Sequence, residues 1–418
     1  MKPQRQLSVG IFSAPQVAFR LLQPCSVAGK RYEGAWRAEF REGRILFDGT
    51  LHDELIFTPC PAAAADSPFA PASFVLSDVT IGVDFHWQRK EAQRFAGALK
   101  LMVEGDRLTA VNLIGIEDYL RCVIASEMKA TASPEFLKAH AVISRSWLLA
   151  QIGRRGTVPA GRPEFVETPG TLIRWADRED HLHFDVCADD HCQRYQGLSR
   201  LSSPRADEAV LATWGQVLTC DGALCDTRFS KCCGGTTERF STCWENRDYP
   251  YLAPVKDAPA PGAPDFCDTA DEAVLSQVLN DYDLETKDFY RWRVEYGRRG
   301  LADLIRRRSG IDFGDEIRAL EPLERGASGR IWLLRIVGSV RTMTVGKELT
   351  IRRWLSESHL KSSAFEVSYE GDRIILEGRG WGHGVGLCQI GAAVMGHRGY
   401  PYADILAHYF PGSKLSAR

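Results

Sequence analysis

No excess charge of either sign marks this 418-residue sequence, in which 52 lysines and arginines face 54 aspartates and glutamates. No block of like charges interrupts that balance, so nothing favours nucleic acid as a partner. The basic piece Arg306, Arg307 and Arg308 reads as the solvated face of a helix. No apolar run approaches the roughly 18 residues that a membrane-spanning helix requires, and the sequence implies no transmembrane segment. Also missing are an internal repeat, a G-x-x-x-x-G-K-[ST] loop and a G-x-G-x-x-G fingerprint in register, which excludes the common nucleotide-binding loops. The first residues, MKPQRQLSVGIFSAPQVAFRLL, carry the positive charge of a signal peptide but lack its continuous apolar core; they alternate like a strand instead. That start leaves localisation open.

Cysteine is the residue type in between. Twelve are many for a reducing compartment and too few per residue for a disulfide scaffold. Seven of them fall between Cys187 and Cys243, a clustering that suggests local bridges or a local metal site.

With 44% hydrophobic residues the chain can build two or three packed domains around a sizeable core. Short alternating runs such as LSVGIF, VAFRLL, GRILFDG and SFVLSDVTIGVDFHW predict hairpins over the first 115 residues or so, with TPCPAAAADSPFAPAS as a surface loop. Ser133 as N-cap, Pro134 at the first helical position and apolar residues from Phe136 to Trp147 at i, i+3 and i+4 spacing predict a helix packed by one stripe on the β core. Two helical segments, DEAVLSQVLNDY and GLADLIRRRSG, and the strands IWLLRIVGSV, TMTVGKELTI and AFEVSYEGDRIILEG follow. The expected fold is α+β: a strand-rich core carrying a helix, with a smaller helical and strand insertion. The expected divisions are a β-rich region (1–115), a central region (116–260), a helical and strand subdomain (261–345) and a C-terminal part that completes the core (346–418).

Four places could carry chemistry. Glu127 closes an apolar run just before a stretch that breaks one helix and starts another; a carboxylate there is either a surface residue or a catalytic group in an apolar setting. In HLHFDVCADDHCQRYQG, His181 or His183 with Cys187, His191 and Cys192 offer the donors of a tetrahedral zinc ion, while a Cys187 to Cys192 disulfide and free thiols stand equally open by spacing alone. RFSKCCGGTTERFSTCWENRDYPYL is a turn of small polar residues with aromatics suited to stacking on sugar rings, or a plain loop held by Cys233 and Cys243. The glycines at 380, 382, 384 and 386 imply that a ligand or another chain segment comes very close to the backbone there. His383 is either a polar contact for a ligand or a satisfied structural histidine.

These segments together resemble the stage II sporulation protein D family, also called the amidase-enhancer or LytB-like family. EDYLRCVIASEM followed by PEFLKAHAVISRSWLL is similar to its central motif, DVCADDHCQRYQG to its Q-x-Y-x-G block, CCGGTTE to its S-G-G-x-T-E segment, and GRGWGHGVGLCQIGAAVMG to its C-terminal signature. The likeness runs from about residue 90 to about residue 412. His140, Cys122, Cys232 and Cys233 depart from the pattern, the last two replacing small polar residues.

The resemblance implies a peptidoglycan lytic transglycosylase acting on glycan strands stripped of peptide, with Glu127 as the single acid and base. It implies Arg145, Gln193 and Tyr195 as substrate-side residues, joined by Gly234, Gly235, Gly382, His383 and Gly384. It also makes the His181 or His183, Cys187, His191 and Cys192 set a structural zinc site. The family's substrate implies the cell envelope or periplasm and an N-acetylmuramoyl-L-alanine amidase as partner. The alternatives are a non-catalytic glycan-binding amidase enhancer and, more remotely, a zinc hydrolase with an open coordination position.

Overall fold

Period-two burial sets the first third of the chain. Val17, Phe19 and Leu21 are buried in the strand Gln16–Val27 while their neighbours face outward, and Leu7 and Val9 repeat the pattern in Gln6–Ala14. The computed structural model describes residues 4–61, 67–81, 89–154, 166–175, 181–189, 191–278 and 289–417. It divides the chain into two units, residues 1–145 with 180–215 and residues 146–179 with 216–418. The fold is α+β and strand-rich.

In the first unit one hydrogen-bonded network orders the strands Val186–Cys187, Gln6–Ala14, Arg107–Gly115, Ala98–Glu104, Glu54–Pro59, Gln16–Val27, Lys30–Arg41, Arg44–Phe47 and Thr50–His52. Ala72–Ile81 joins it through Gln16–Val27 and carries Arg89–Ala96 on its other edge. Phe57 packs edge to face on both Phe19 and Phe47, a geometry favoured by the ring quadrupoles. Part of the TPCPAAAADSPFAPAS loop lies outside the described residues, as does the end of SFVLSDVTIGVDFHW.

Arg107–Gly115 runs straight into helix α1 (Ile116–Glu127), and after a short break α2 (Pro134–Arg154) follows. Ser133 caps α2 as expected, its Oγ accepting the Phe136 N–H at 3.4 Å. The expected single apolar stripe is too narrow, however. From Phe136 to Gln151 only Lys138 and Leu149 escape burial, and Ser144, Arg145 and Ser146 are buried along with the apolar residues. A helix hidden on all sides needs its polar groups partnered, and Ser144 and Arg145 are.

The second unit contains the five-stranded order Val166–Thr168, Thr171–Ile173, Thr342–Gly346, Ile331–Gly338, Ile317–Arg325 and the three-stranded order Arg291–Gly297, Arg373–Arg379, Phe365–Glu370. Leu334, Ile336, Val345, Ile351, Ile374 and Leu376 are among the side chains of its hydrophobic core. The run TMTVGKELTI, expected as one strand, is a strand only to Gly346. Glu348–Trp354 is helical, with good helix formers and a Glu348–Arg352 ion pair one turn apart. Of DEAVLSQVLNDY, Glu272–Val278 is helical, Asp271 precedes the helix, and Leu279 onward lies outside the described residues. Among the described residues no helix is long and apolar enough to cross a membrane.

Candidate functional site

Glu127 is the last residue of α1. Ten of the twelve α1 residues are buried, but Glu127 is partly exposed, and Met128 after it turns extended. The side chain is not left loose. Its Oε1 accepts the backbone N–H of Arg194 at 2.9 Å. One residue earlier, the Ser126 hydroxyl accepts the Gln196 N–H at 3.0 Å and donates to the Cys122 carbonyl at 2.7 Å. The end of α1 is thus tied to the backbone of residues 194–196.

That same stretch follows the cysteine and histidine cluster. His181, Cys187, His191 and Cys192 bring their donor atoms within 4.8 Å of one another. His181 Nε2 lies 3.4 Å from Cys192 Sγ, which lies 3.6 Å from His191 Nδ1, and Cys187 Sγ is 4.0 Å from His191 Nδ1. Tetrahedral zinc with ~2.0–2.3 Å bonds places its donors roughly 3.3–3.8 Å apart, so the group is close to that size. The donor chemistry agrees. Hydrogen bonds from Cys192, opposed by burial and reinforced by His181 and His191, pull the Cys187 thiol far below its usual range toward thiolate. Both thiols are unbridged. His183 is exposed and stands outside the group, so His181 is the histidine that the fold brings in. These four residues could hold a metal ion.

The other residues expected at the site fall in two places. Gln193 and Tyr195 are fully buried, not on an open wall. Gln193 Nε2 donates to the Ser144 carbonyl at 3.3 Å and its Oε1 accepts from the Tyr119 hydroxyl at 3.4 Å; the Tyr195 hydroxyl donates to Asn112 Oδ1 at 2.6 Å and its ring stacks on Tyr119. They hold the 191–196 segment from inside. Arg145 is buried in α2. Its guanidinium grips Glu117 in a fork, Nε to Oε1 at 2.9 Å and a terminal nitrogen to Oε2 at 2.5 Å, with both side chains buried. Glu117 was missed in the sequence because it looks like any acidic residue in the first turn of a helix. A cavity of about 320 Å³ is lined by Ser13, Thr80, Gln93, Arg194 and Gln196 among others, but not by Glu127. Arg194 and Gln196 thus belong both to its wall and to the segment tied to the end of α1.

Gly234, Gly235, Gly382, His383 and Gly384 belong to the second unit, where the close approach expected of the glycines is made by the chain itself. A Cβ on Gly234 would sit 3.1 Å from the Gly380 nitrogen, and one on Gly384 would sit 2.5 Å from the guanidinium of buried Arg330. Both glycines also have φ of 78°. His383 reads as structural. Its Nδ1 accepts the Val385 N–H at 3.0 Å, the ring lies edge-on to Trp244, and the Phe229 backbone supplies another hydrogen bond. Burial, then Arg228, Arg330 and Arg352, hold its imidazole well below the usual range, hence neutral at pH 7. Cys233 and Cys243 do not pair: Cys243 Sγ points at the His383 carbonyl, whereas Cys233 Sγ lies 3.6 Å from Cys267 Sγ.

The stage II sporulation protein family model matches residues 104–220, the segment that contains Glu127, Arg145 and the whole cysteine and histidine cluster. A second model, described as a domain of unknown function, matches residues 238–386. Over 73% of its length the sequence is 26% identical to the stage II sporulation protein D of Bacillus subtilis, covering 76% of that protein. It is 24% identical to the amidase enhancer of the same organism over 71% of its length, covering 40% of that longer protein.

Proposed function

From a chain that belongs to the stage II sporulation protein family, we propose a lytic transglycosylase that cleaves peptide-free glycan strands of peptidoglycan with Glu127 as general acid and base. The observation that carries this reading is the setting of Glu127: a partly exposed carboxyl at the end of a buried helix, oriented through Oε1 by the Arg194 N–H.

In the first half of the reaction the Glu127 carboxyl gives its proton to the glycosidic oxygen as the C1–O bond breaks, leaving positive charge spread over C1 and the ring oxygen. In the second half the 6-hydroxyl of the same sugar adds to C1 and its proton passes to the Glu127 carboxylate. The products are a free 4-hydroxyl and a 1,6-anhydro end, and Glu127 is protonated again. No water is consumed. One carboxyl therefore serves where an ordinary glycosidase uses two.

His181, Cys187, His191 and Cys192 would hold a zinc ion, which would supply a closed cross-link and activate no water. Cys192, Gln193 and Arg194 are consecutive, so the loop pinned by these side chains is the one whose N–H orients Glu127. Gln193 and Tyr195 act as positioning residues for that loop, and Arg145 holds α1 through Glu117.

The name of the amidase-enhancer relative supports a second reading, in which the chain binds glycan and stimulates an N-acetylmuramoyl-L-alanine amidase without cleaving. One experiment separates the two. Purified protein and Glu127→Gln are incubated with denuded and peptide-bearing glycan, with and without such an amidase, and the products are read by mass spectrometry for 1,6-anhydro ends. Losing both acid and base roles should lower their release at least about 10²- to 10⁴-fold with melting temperature and glycan binding retained. Release within a few-fold of the parent would remove Glu127 as the acid; amidase stimulation without anhydro ends would put the second reading first.

A further inference from the structure

Four cysteines that the sequence scatters over more than 150 residues meet in the second unit around one aspartate. Phe229–Ser230 pairs in parallel with Leu387–Cys388, and Cys232 exchanges backbone hydrogen bonds with Trp381. This pairing brings Cys388 to Cys233, whose N–H points at Cys388 Sγ at 3.2 Å. The Asp257 N–H bonds the Gly235 carbonyl, and Asp257 Oδ2 accepts the Cys267 N–H at 2.9 Å, which brings in the other two. The donor atoms of Cys233, Asp257, Cys267 and Cys388 all lie within 4.8 Å of one another, and Cys232 contacts the sulfurs of Cys267 and Cys388 from the side. Every one of the five side chains is at most 1% exposed.

Three features call for a cation among them. Asp257 is fully buried, and among the described residues its hydrogen-bond donors are the Tyr409 hydroxyl and the N–H and thiol of Cys267, with no arginine or lysine on it, a costly state for a carboxylate. The Cys233 and Cys267 sulfurs are 3.6 Å apart, far beyond the ~2.05 Å of a disulfide but close to the roughly 3.8 Å between two thiolates on one tetrahedral zinc. An iron–sulfur cluster would push sulfurs on different irons farther apart than this group allows. Cys388 is also the N-cap of the helix Gln389–His397, where the helix dipole favours thiolate. The surroundings carry compensating positive charge. Buried Arg330 donates to the carbonyls of Cys233 at 3.0 Å and Cys232 at 3.4 Å and, among the described residues, to no carboxylate.

We propose that Cys233, Asp257, Cys267 and Cys388 hold a second zinc ion, a closed structural site that joins the CCGG turn, the 257–267 segment and the start of the last glycine-rich helix. With three thiolates and one carboxylate the site is soft, tetrahedral and without an open position. It lies where the family resemblance expects small polar residues, so it is a property of this chain. It does not depend on the glycan-cleaving reading.

The test is metal content and zinc-edge X-ray absorption on the full-length protein, purified without chelator. Wild type should contain about two equivalents of zinc with more sulfur than nitrogen ligands on average. Cys192→Ser, which disables the cluster in the first unit, should retain about one equivalent with about three sulfurs, one oxygen and no imidazole. Cys267→Ser and Asp257→Asn should each lower the total by about one equivalent. A single equivalent in wild type with two sulfurs and two nitrogens, lost in Cys192→Ser, overturns the proposal whether or not the other variants fold. So does a Cys233 to Cys267 disulfide in the non-reducing peptide map. One equivalent in wild type that survives Cys192→Ser with three sulfurs supports this site and counts against the first.

Discussion

Glu117 and Glu127 share α1 and end in opposite kinds of shell. Glu127 meets a backbone N–H at the helix end and stays partly exposed, as the proposed acid and base has to be. Glu117 is buried in a two-point grip with Arg145, where it can only be a structural anion. A buried pair of this kind adds little net stability, yet breaking it by removing one partner strands the other charge. Arg145→Ala should therefore cost about 3–5 kcal/mol in denaturant unfolding, and Arg145→Lys should recover only part, because an ammonium cannot reproduce the planar fork. Had Arg145 served mainly as a glycan contact, the alanine variant would lose affinity at nearly unchanged stability. Arg145 was pointed to by the family resemblance, as a substrate-side residue; nothing in the sequence pointed to Glu117 as its partner.

The glycine-rich strand-to-helix passage shows the same limit one level up. Its alternating glycines predicted a close approach, and the approach is there; what comes close is Arg330 and the Cys232–Cys233 backbone, which no local pattern points to. Gly384 and Gly382 make a graded pair. An added methyl at Gly384 would collide with a buried guanidinium at 2.5 Å and also demand a left-handed conformation. At Gly382, with φ of 90°, the nearest atom is Ser230 Cβ at 3.1 Å. Gly384→Ala should therefore lower the melting temperature clearly more than Gly382→Ala, with Gly382→Ala losing about 1 kcal/mol or somewhat more from backbone strain. Equal, negligible losses would show that Arg330 can move aside. The strands and α2 were legible because burial on a sheet or helix leaves a period in the sequence. α2's burial on every side was not, since Ser144, Arg145 and Ser146 look solvent-facing until their partners are known.

Across the whole molecule, pH should act through a carboxyl remote from any proposed chemistry. Asp118, in the first turn of α1, is buried; desolvation raises it from 3.8 to about 6, against the Ala70 N–H and Arg121. The folded state thus holds this proton more tightly than the unfolded state. Stability from this group is full below about pH 4 and falls as pH rises through about 6, by about 2–3 kcal/mol at most. Asp118→Asn keeps an acceptor for Ala70 and should be more stable than the parent at pH 7.5, with the difference shrinking toward zero at pH 4. A difference independent of pH would assign the effect to packing. The cysteine and histidine cluster was legible because its donors are close in sequence, and Glu127 stood out at the end of a local apolar run. The meeting of Cys233, Cys267 and Cys388 is created by tertiary pairing, and only the replacement of small polar residues by cysteine hinted at it.

The first unit is discontinuous in sequence, closing with residues 180–215 after the chain has entered the other unit at position 146. A nascent chain that has emerged only as far as residue 179 contains the hairpins, α1 and Glu127, but neither the Val186–Cys187 strand that edges Gln6–Ala14 nor the Arg194 N–H that orients the carboxyl. Synthesis itself thereby keeps the glutamate unassembled until the returning segment, with its cysteines and histidines, has left the ribosome, and any natural or engineered truncation before residue 194 yields a chain with the motif intact and its orienting bond missing.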